Sequence, residues 1–179
     1  MGFRLLQFVV LSGDEKRLKR LLSTRLRRFK QADKQEAFGY SLSLGKLDIA
    51  EIFLPYIDVN FRESSYGNTA LHWVAESKHV SAAEFLLDHG AEINIRTNGG
   101  VTPLGCAVQA EIEDAYDYAT WTGHAMIPKA IMSVFLIEKG ADVSSLTSAY
   151  LANINDIEIK DIEKYHSDLF VYLRLHETH

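Results

Sequence analysis

Gly67-Asn68-Thr69-Ala70-Leu71-His72 returns in altered form as Gly100-Val101-Thr102-Pro103-Leu104-Gly105. Thr69 and Thr102 are 33 residues apart, and self-similarity at a fixed period of this size marks a repeat array. Between the two copies runs Leu86-Leu87-Asp88-His89-Gly90-Ala91-Glu92-Ile93-Asn94, whose counterpart downstream is Leu136-Ile137-Glu138-Lys139-Gly140-Ala141-Asp142-Val143. Upstream, Leu54-Pro55-Tyr56-Ile57-Asp58-Val59-Asn60 is a looser version. Earlier still, Ser12-Gly13-Asp14-Glu15 precedes Leu18, Leu21 and Leu22, much as Leu44-Gly45-Lys46-Leu47-Asp48 precedes Ile49, Ile52 and Phe53.

These residue types suit helix pairs joined by hairpins. Gly67 and Gly100 stand where the chain leaves a turn, a place that calls for positive φ. Thr69 and Thr102 fit helix N-caps, where a hydroxyl satisfies orphan N–H groups. Pro103 fits the first helical position, where no N–H bond is lost. Leu71, Val74 and Ala75 make one apolar face, Ala82, Ala83, Leu86 and Leu87 make the facing helix, and Gly90 ends it.

The pattern resembles the ankyrin-repeat family. Residues 67–99 carry it whole, and the flanking copies are degenerate but in phase. The resemblance implies an all-α solenoid of stacked helix-turn-helix units with hairpin loops and helical caps. It also implies that His72 hydrogen-bonds between adjacent hairpins and that His79 caps a helix start. The expected layout is a single domain over 1–179. An N-terminal helical cap (1–33) is followed by repeats at 34–66, 67–99 and 100–147, the last with an insertion at 111–127. A C-terminal cap (148–179) closes the array, with Ile162, Tyr165, Leu169, Tyr172 and Leu173 at helical steps. In the first repeat the helices are expected near 35–43 and 47–55.

The insertion is where the family pattern breaks. Gly90 to Gly140 spans 50 residues, well beyond one period. The extra stretch holds Glu111, Glu113, Asp114 and Asp117 beside Tyr116, Tyr118 and Trp121. Two readings stand. Insertions in solenoids map to loops that often form the working face, and aromatic residues are enriched at binding hot spots. Alternatively the segment lengthens the inner helix and packs on its own neighbours. The next helix is expected to begin near Pro128.

Composition sets the outer bounds. The chain of 179 residues is 47% hydrophobic and 24% charged, which is ordinary for a globular domain. Its net charge of −5 is uneven: residues 1–34 hold ten basic and three acidic residues, leaving nine basic and 21 acidic for the rest. Lys16, Arg17, Lys19, Arg20, Arg25, Arg27, Arg28 and Lys30 interleave with Leu18, Leu21, Leu22 and Leu26, the spacing of a solvated helix face. Such a basic end can also steer an acidic partner. The single cysteine, Cys106, excludes an internal disulfide framework. The apolar start from Leu5 to Leu11 is interrupted by Gln7 and has no cleavage-site pattern, and Gly2 lacks the hydroxyl residue that myristoylation expects at position 6. The chain reads as cytoplasmic.

By the resemblance, the function is non-enzymatic protein–protein interaction. A small stand-alone adaptor or inhibitor is expected, such as a toxin-neutralising immunity protein or a host-targeting effector. The family's contact positions fall on Phe61, Arg62, Ser65, Tyr66 and Asn68 at one hairpin tip, and on Arg96, Asn98 and Val101 at the next. On the inner helices they fall on Ser43, Leu44, Glu76, Ser77, Gln109 and Ala110. Glu113, Asp114, Tyr116, Asp117, Tyr118 and Trp121 of the insertion join them, facing a partner with a basic patch or cleft. Trp73 reads as core. The alternative is an enzyme whose site is built on 111–127, with Glu113, Asp114, Asp117 and His124 as its groups. No His-Glu-x-x-His pair, phosphate-binding glycine loop or nucleophile elbow supports it. Cys106 sits at a small-residue position suited to packing. No cofactor or metal is expected, nor nucleic acid or membrane as partner, since the basic residues lack any helix-turn-helix or aromatic interleaving.

Overall fold

The computed structural model describes residues 2–25, 29–122, 131–144 and 146, with side-chain detail at 4–24, 29–114, 131–144 and 146. Among these residues all regular structure is helical: α1 (Gly2–Ser12), α2 (Glu15–Arg25), α3 (Gln31–Ser43), α4 (Leu47–Phe53, running into a 3-10 turn at Leu54–Tyr56), α5 (Ala70–Glu76), α6 (Val80–Asp88), α7 (Pro103–Thr122) and α8 (Ile131–Glu138). The odd-numbered helices stack in the order α1, α3, α5, α7 as an inner layer, and α2, α4, α6 and α8 back them as an outer layer. The expected helices at 35–43 and 47–55 lie inside the observed ones, and the core pattern is as read. Leu71, Val74, Ala75, Ala82, Ala83 and Leu86 are buried, and Leu87 packs half-buried against them.

Each unit is closed by the same local devices. Thr69 caps α5 in a capping box with His72: the Thr69 N–H donates to His72 Nδ1 (3.1 Å) and the Thr69 hydroxyl lies 2.9 Å from it. Because Nδ1 accepts, Nε2 carries the proton and donates to the Val101 carbonyl of the next hairpin (3.1 Å). The inter-hairpin role that the resemblance gave His72 is thus present. Thr102 accepts the Gly105 N–H (3.2 Å) at the start of α7, which opens on Pro103 as expected. Gly67, Gly90 and Gly100 all take positive φ (75°, 87° and 82°). His79 departs from expectation. It occupies the N-cap of α6, yet its side chain makes no capping bond.

Two features were not anticipated. Lys78 has φ 58°, at the turn between α5 and α6 where the corresponding turn after α3 has Gly45. Lys46 reaches back 3.0 Å and 2.7 Å to the Val10 and Leu11 carbonyls and so caps the C-terminus of α1. Trp73 is half-buried and lies against α3 at Gly39, where an added Cβ would approach the indole to 3.1 Å. That close approach fits its reading as core.

The inner helix runs on into the insertion as far as Thr122. α7 runs 20 residues against seven in α5, so its backbone continues about 20 Å past the level where α5 stops. Ile112 and Glu111, at the root of this extension, are buried. The next helix starts at Ile131. Gly123-His124, Pro128 and the expected cap at 148–179 lie outside the described residues.

Candidate functional site

The two hairpins form one connected rim. In the first, Glu63 and Asn68 pair through the Glu63 N–H and Asn68 carbonyl (2.9 Å). The Glu63 carboxylate accepts the N–H of Ser65 (2.6 Å), of Tyr66, and of Asn68 (3.4 Å). Those bonds, that from Ser65 foremost, hold Glu63 below the usual carboxylate range. The second hairpin joins the first through Asn98, whose N–H donates to the Tyr66 carbonyl (2.8 Å). Arg62 donates to Asn98 Oδ1 (3.1 Å), and Arg96 donates to the Gly100 carbonyl of its own turn (3.1 Å). Space at the junction is tight: a Cβ at Gly67 would sit 2.5 Å from Asn98 Oδ1. The outcome is a well-tied backbone under Tyr66, whose side chain is 73% exposed.

Most of the expected tip residues therefore meet. Arg62, Tyr66, Asn68 and Asn98 are in one hydrogen-bonded cluster, and Arg96 flanks it in the second hairpin. Phe61 is half-buried at the hairpin base, and Asn68 is likewise half-buried. On the inner helices, Glu76, Gln109, Glu113 and Asp114 are exposed. Ala110, by contrast, is buried and offers a partner nothing. Gln109 donates to Glu113 one turn on, and Lys78 pairs with Asp114 across the α5–α7 boundary. Tyr116, Asp117, Tyr118 and Trp121 lie on the helical backbone of α7, and their side chains are outside the described detail. Of the groups in the enzyme alternative, Glu113 is engaged by Gln109 and Asp114 by Lys78, while the Asp117 side chain and His124 lie outside the described detail.

Several contributors escaped the sequence reading. Glu111 is 2% exposed and accepts the Met132 N–H (2.8 Å), the Ser133 N–H (3.3 Å) and the Ser133 hydroxyl (2.6 Å). It thus satisfies the start of α8 from another helix. Burial pushes its carboxyl above the ordinary value against these bonds. Asn60 bridges its unit to the next, donating to the Gly90 carbonyl (3.0 Å) and accepting the Glu92 N–H (2.8 Å). Asn94, one period on, accepts the Asp142 N–H (2.7 Å). The recurrence of Asn at both places was the available signal. Cys106 is part-buried, and burial, with Glu76 nearby, pushes its thiol up to about 11. A thiol so protonated near neutral pH is a poor nucleophile. Among the described residues no group of three His, Cys, Asp or Glu is placed to hold a metal ion, and no helix is long and apolar enough to cross a membrane.

A stack of helix pairs with a tied hairpin rim is the architecture of a helical-repeat protein. A family model for ankyrin repeats in three copies matches residues 6–97, and the chain belongs to the ankyrin-repeat family. It is similar to an ankyrin repeat protein of monkeypox virus, 42% identical over 65 residues, covering 36% of this chain and 10% of the viral protein. It is 25% identical over 124 residues to a putative ankyrin repeat protein of Acanthamoeba polyphaga mimivirus, covering 66% of this chain and 17% of that one. A regulatory protein of Arabidopsis thaliana is 35% identical over 74 residues, covering 40% and 15%. The matched stretch thus spans a small part of these relatives' length. Ankyrin repeats mediate protein–protein interaction and are typically non-catalytic.

Proposed function

We propose that this chain is a small adaptor or inhibitor that captures another protein along its hairpin rim and inner helices. The observation that carries this reading is Tyr66, an exposed aromatic on a turn whose backbone is fixed by Glu63 and Asn98. Tyr and Arg side chains commonly dominate binding energy, and a pre-ordered turn loses little entropy on docking. Arg62 and Arg96 flank Tyr66, while Glu76, Glu113 and Asp114 line the inner helices. The partner that fits is acidic or aromatic where it meets the rim and basic where it meets α5 and α7. Neutralisation of a toxin and capture of a host factor are both compatible with this surface.

The test is co-purification of the tagged protein from its native cells, with stoichiometric companions identified by mass spectrometry. Tyr66→Ala is expected to weaken capture by about 30-fold, as expected for a hot-spot residue of roughly 2 kcal/mol. Tyr116→Ala with Trp121→Ala asks the same of the α7 extension. A companion retained at full affinity by both variants removes the rim-and-extension reading.

A further inference from the structure

Among the described residues, the edge of the stack at α1 carries an exposed apolar stripe. α1 packs inward through Leu6, Val9 and Val10. Arg4, Phe8 and Leu11, at steps of four and three, fall on another side and are exposed, Phe8 by 58% and Leu11 by 51%. The Arg17 guanidinium lies 5.8 Å from the Phe8 ring centre, so α2 shares this face. Lys16, Lys19 and Arg20 are exposed on the same short helix. The two acids nearby are engaged locally: Glu15 pairs with Lys19 at 3.1 Å, and Asp14 accepts the Arg17 N–H at 2.9 Å. An apolar stripe framed by cations fits an acidic helix that also carries apolar or aromatic residues.

The chain contains such a helix. From Glu111 to Thr122, α7 holds Glu113, Asp114 and Asp117 with Tyr116, Tyr118 and Trp121, and has no Lys or Arg. Glu113 and Asp114 are exposed, Asp114 beside Lys78 and Glu113 beside Gln109, and each carboxylate keeps an oxygen beyond the one so engaged. The stacking order α1, α3, α5, α7 puts three helix spacings, roughly 30 Å, between this segment and its own α1. We propose that the Phe8–Leu11 face docks the acidic α7 extension of a second copy of this chain, head to tail. The two surfaces differ, so each pairing leaves one of each open and the association can continue. The inference rests on the α7 extension being a contact surface. It makes no use of the hairpin rim, which Tyr66→Ala tests separately.

Sedimentation velocity on the full chain is the test, at ionic strengths of about 0.05 M and about 1 M, where screening lengths are roughly 14 Å and 3 Å. The expected result is a mass that grows with protein concentration at low salt and falls to the monomer at high salt. Phe8→Ser with Arg17→Gln, and separately Glu113→Gln with Asp117→Asn, should each remain monomeric. Their mixture should stop at a one-to-one dimer, because one competent pair of surfaces is left. Leu11→Ser with Arg20→Glu provides a second α1-face variant, and circular dichroism melts confirm folding in each. A monomer at every concentration in low salt overturns the proposal, as does association that survives both sets of changes. So does a monomer that instead binds phosphatidylserine vesicles through Phe8 and Arg17, which would place an anionic membrane on this face.

Discussion

His72 shows how a single side chain couples repeats and pH. It is buried as the neutral Nε2–H tautomer between Thr69 and Val101, and burial holds its pKa below the ordinary value. A lowered folded pKa means the unfolded chain binds more protons between that value and about 6.5. Stability is then complete above the unfolded value and is lost as pH falls through the window below it. The slope is at most about 1.4 kcal/mol per pH unit. Urea denaturation at several pH values between 7.5 and 5 should show a steeper loss for the parent than for His72→Gln, which has no such titration. Equal slopes would mean that the imidazole is not held neutral. Lys78 offers a second residue-scale test. Its left-handed φ costs a side chain about 1 kcal/mol that glycine avoids, and its pair with Asp114 is partly exposed, worth less than about 1 kcal/mol. Lys78→Ala loses the pair and keeps the strain, whereas Lys78→Gly loses the pair and relieves it. Glycine should therefore be the more stable variant by about 1 kcal/mol in urea midpoints, after correction for the slope.

At the scale of the element, α8 begins where a carboxylate from α7 meets its first N–H groups. Glu111→Ala removes the acceptor of the buried Met132 N–H and should cost about 1–3 kcal/mol. Glu111→Gln keeps an acceptor of the same size and should cost less than half as much. Urea unfolding followed by circular dichroism checks both, and an Ala variant as stable as the Gln variant would show that the cap is dispensable. The pH sign here is opposite to that of His72. A raised carboxyl pKa makes the folded state the better proton binder, so this group's contribution declines as pH rises above about 4.5. The long α7 was only half legible. Residues 103–110 read as an inner helix from Pro103 and from their place one period after the helix that follows Thr69. Beyond Glu111, acids and aromatics have no one-sided pattern that separates a projecting helix from a loop. Glu111 itself looked like one more surface acid, because its partners Met132 and Ser133 are 21 and 22 residues away, across the insertion.

For the whole molecule, the repeat period did most of the work. Local signals at Thr69, Pro103 and Gly90 were sufficient because each unit is built from short-range contacts. The links between units, Asn60 to Gly90 and Asn94 to Asp142, depend on stacking and emerged only with the structure. In such a solenoid, stability is close to a sum of unit and interface terms, so a unit with neighbours on both sides outlasts one with a neighbour on one side. The central unit of α5 and α6 has α3 and α4 before it and α7 and α8 after it, and contributes Leu71, Val74, Ala75, Ala82, Ala83 and Leu86 to the core. The unit of α1 and α2 is covered on one side among the described residues, with Phe8 and Leu11 left exposed. Native-state hydrogen exchange should therefore find the slowest amides in α5 and α6 and faster, sub-global opening in α1 and α2. Asn60→Ala, which cuts the link across the centre, should lower protection in α5 and α6 more than in α8. Uniform protection from α1 to α8 would instead mean that the stack opens as one cooperative block, with the interfaces outweighing the differences between units.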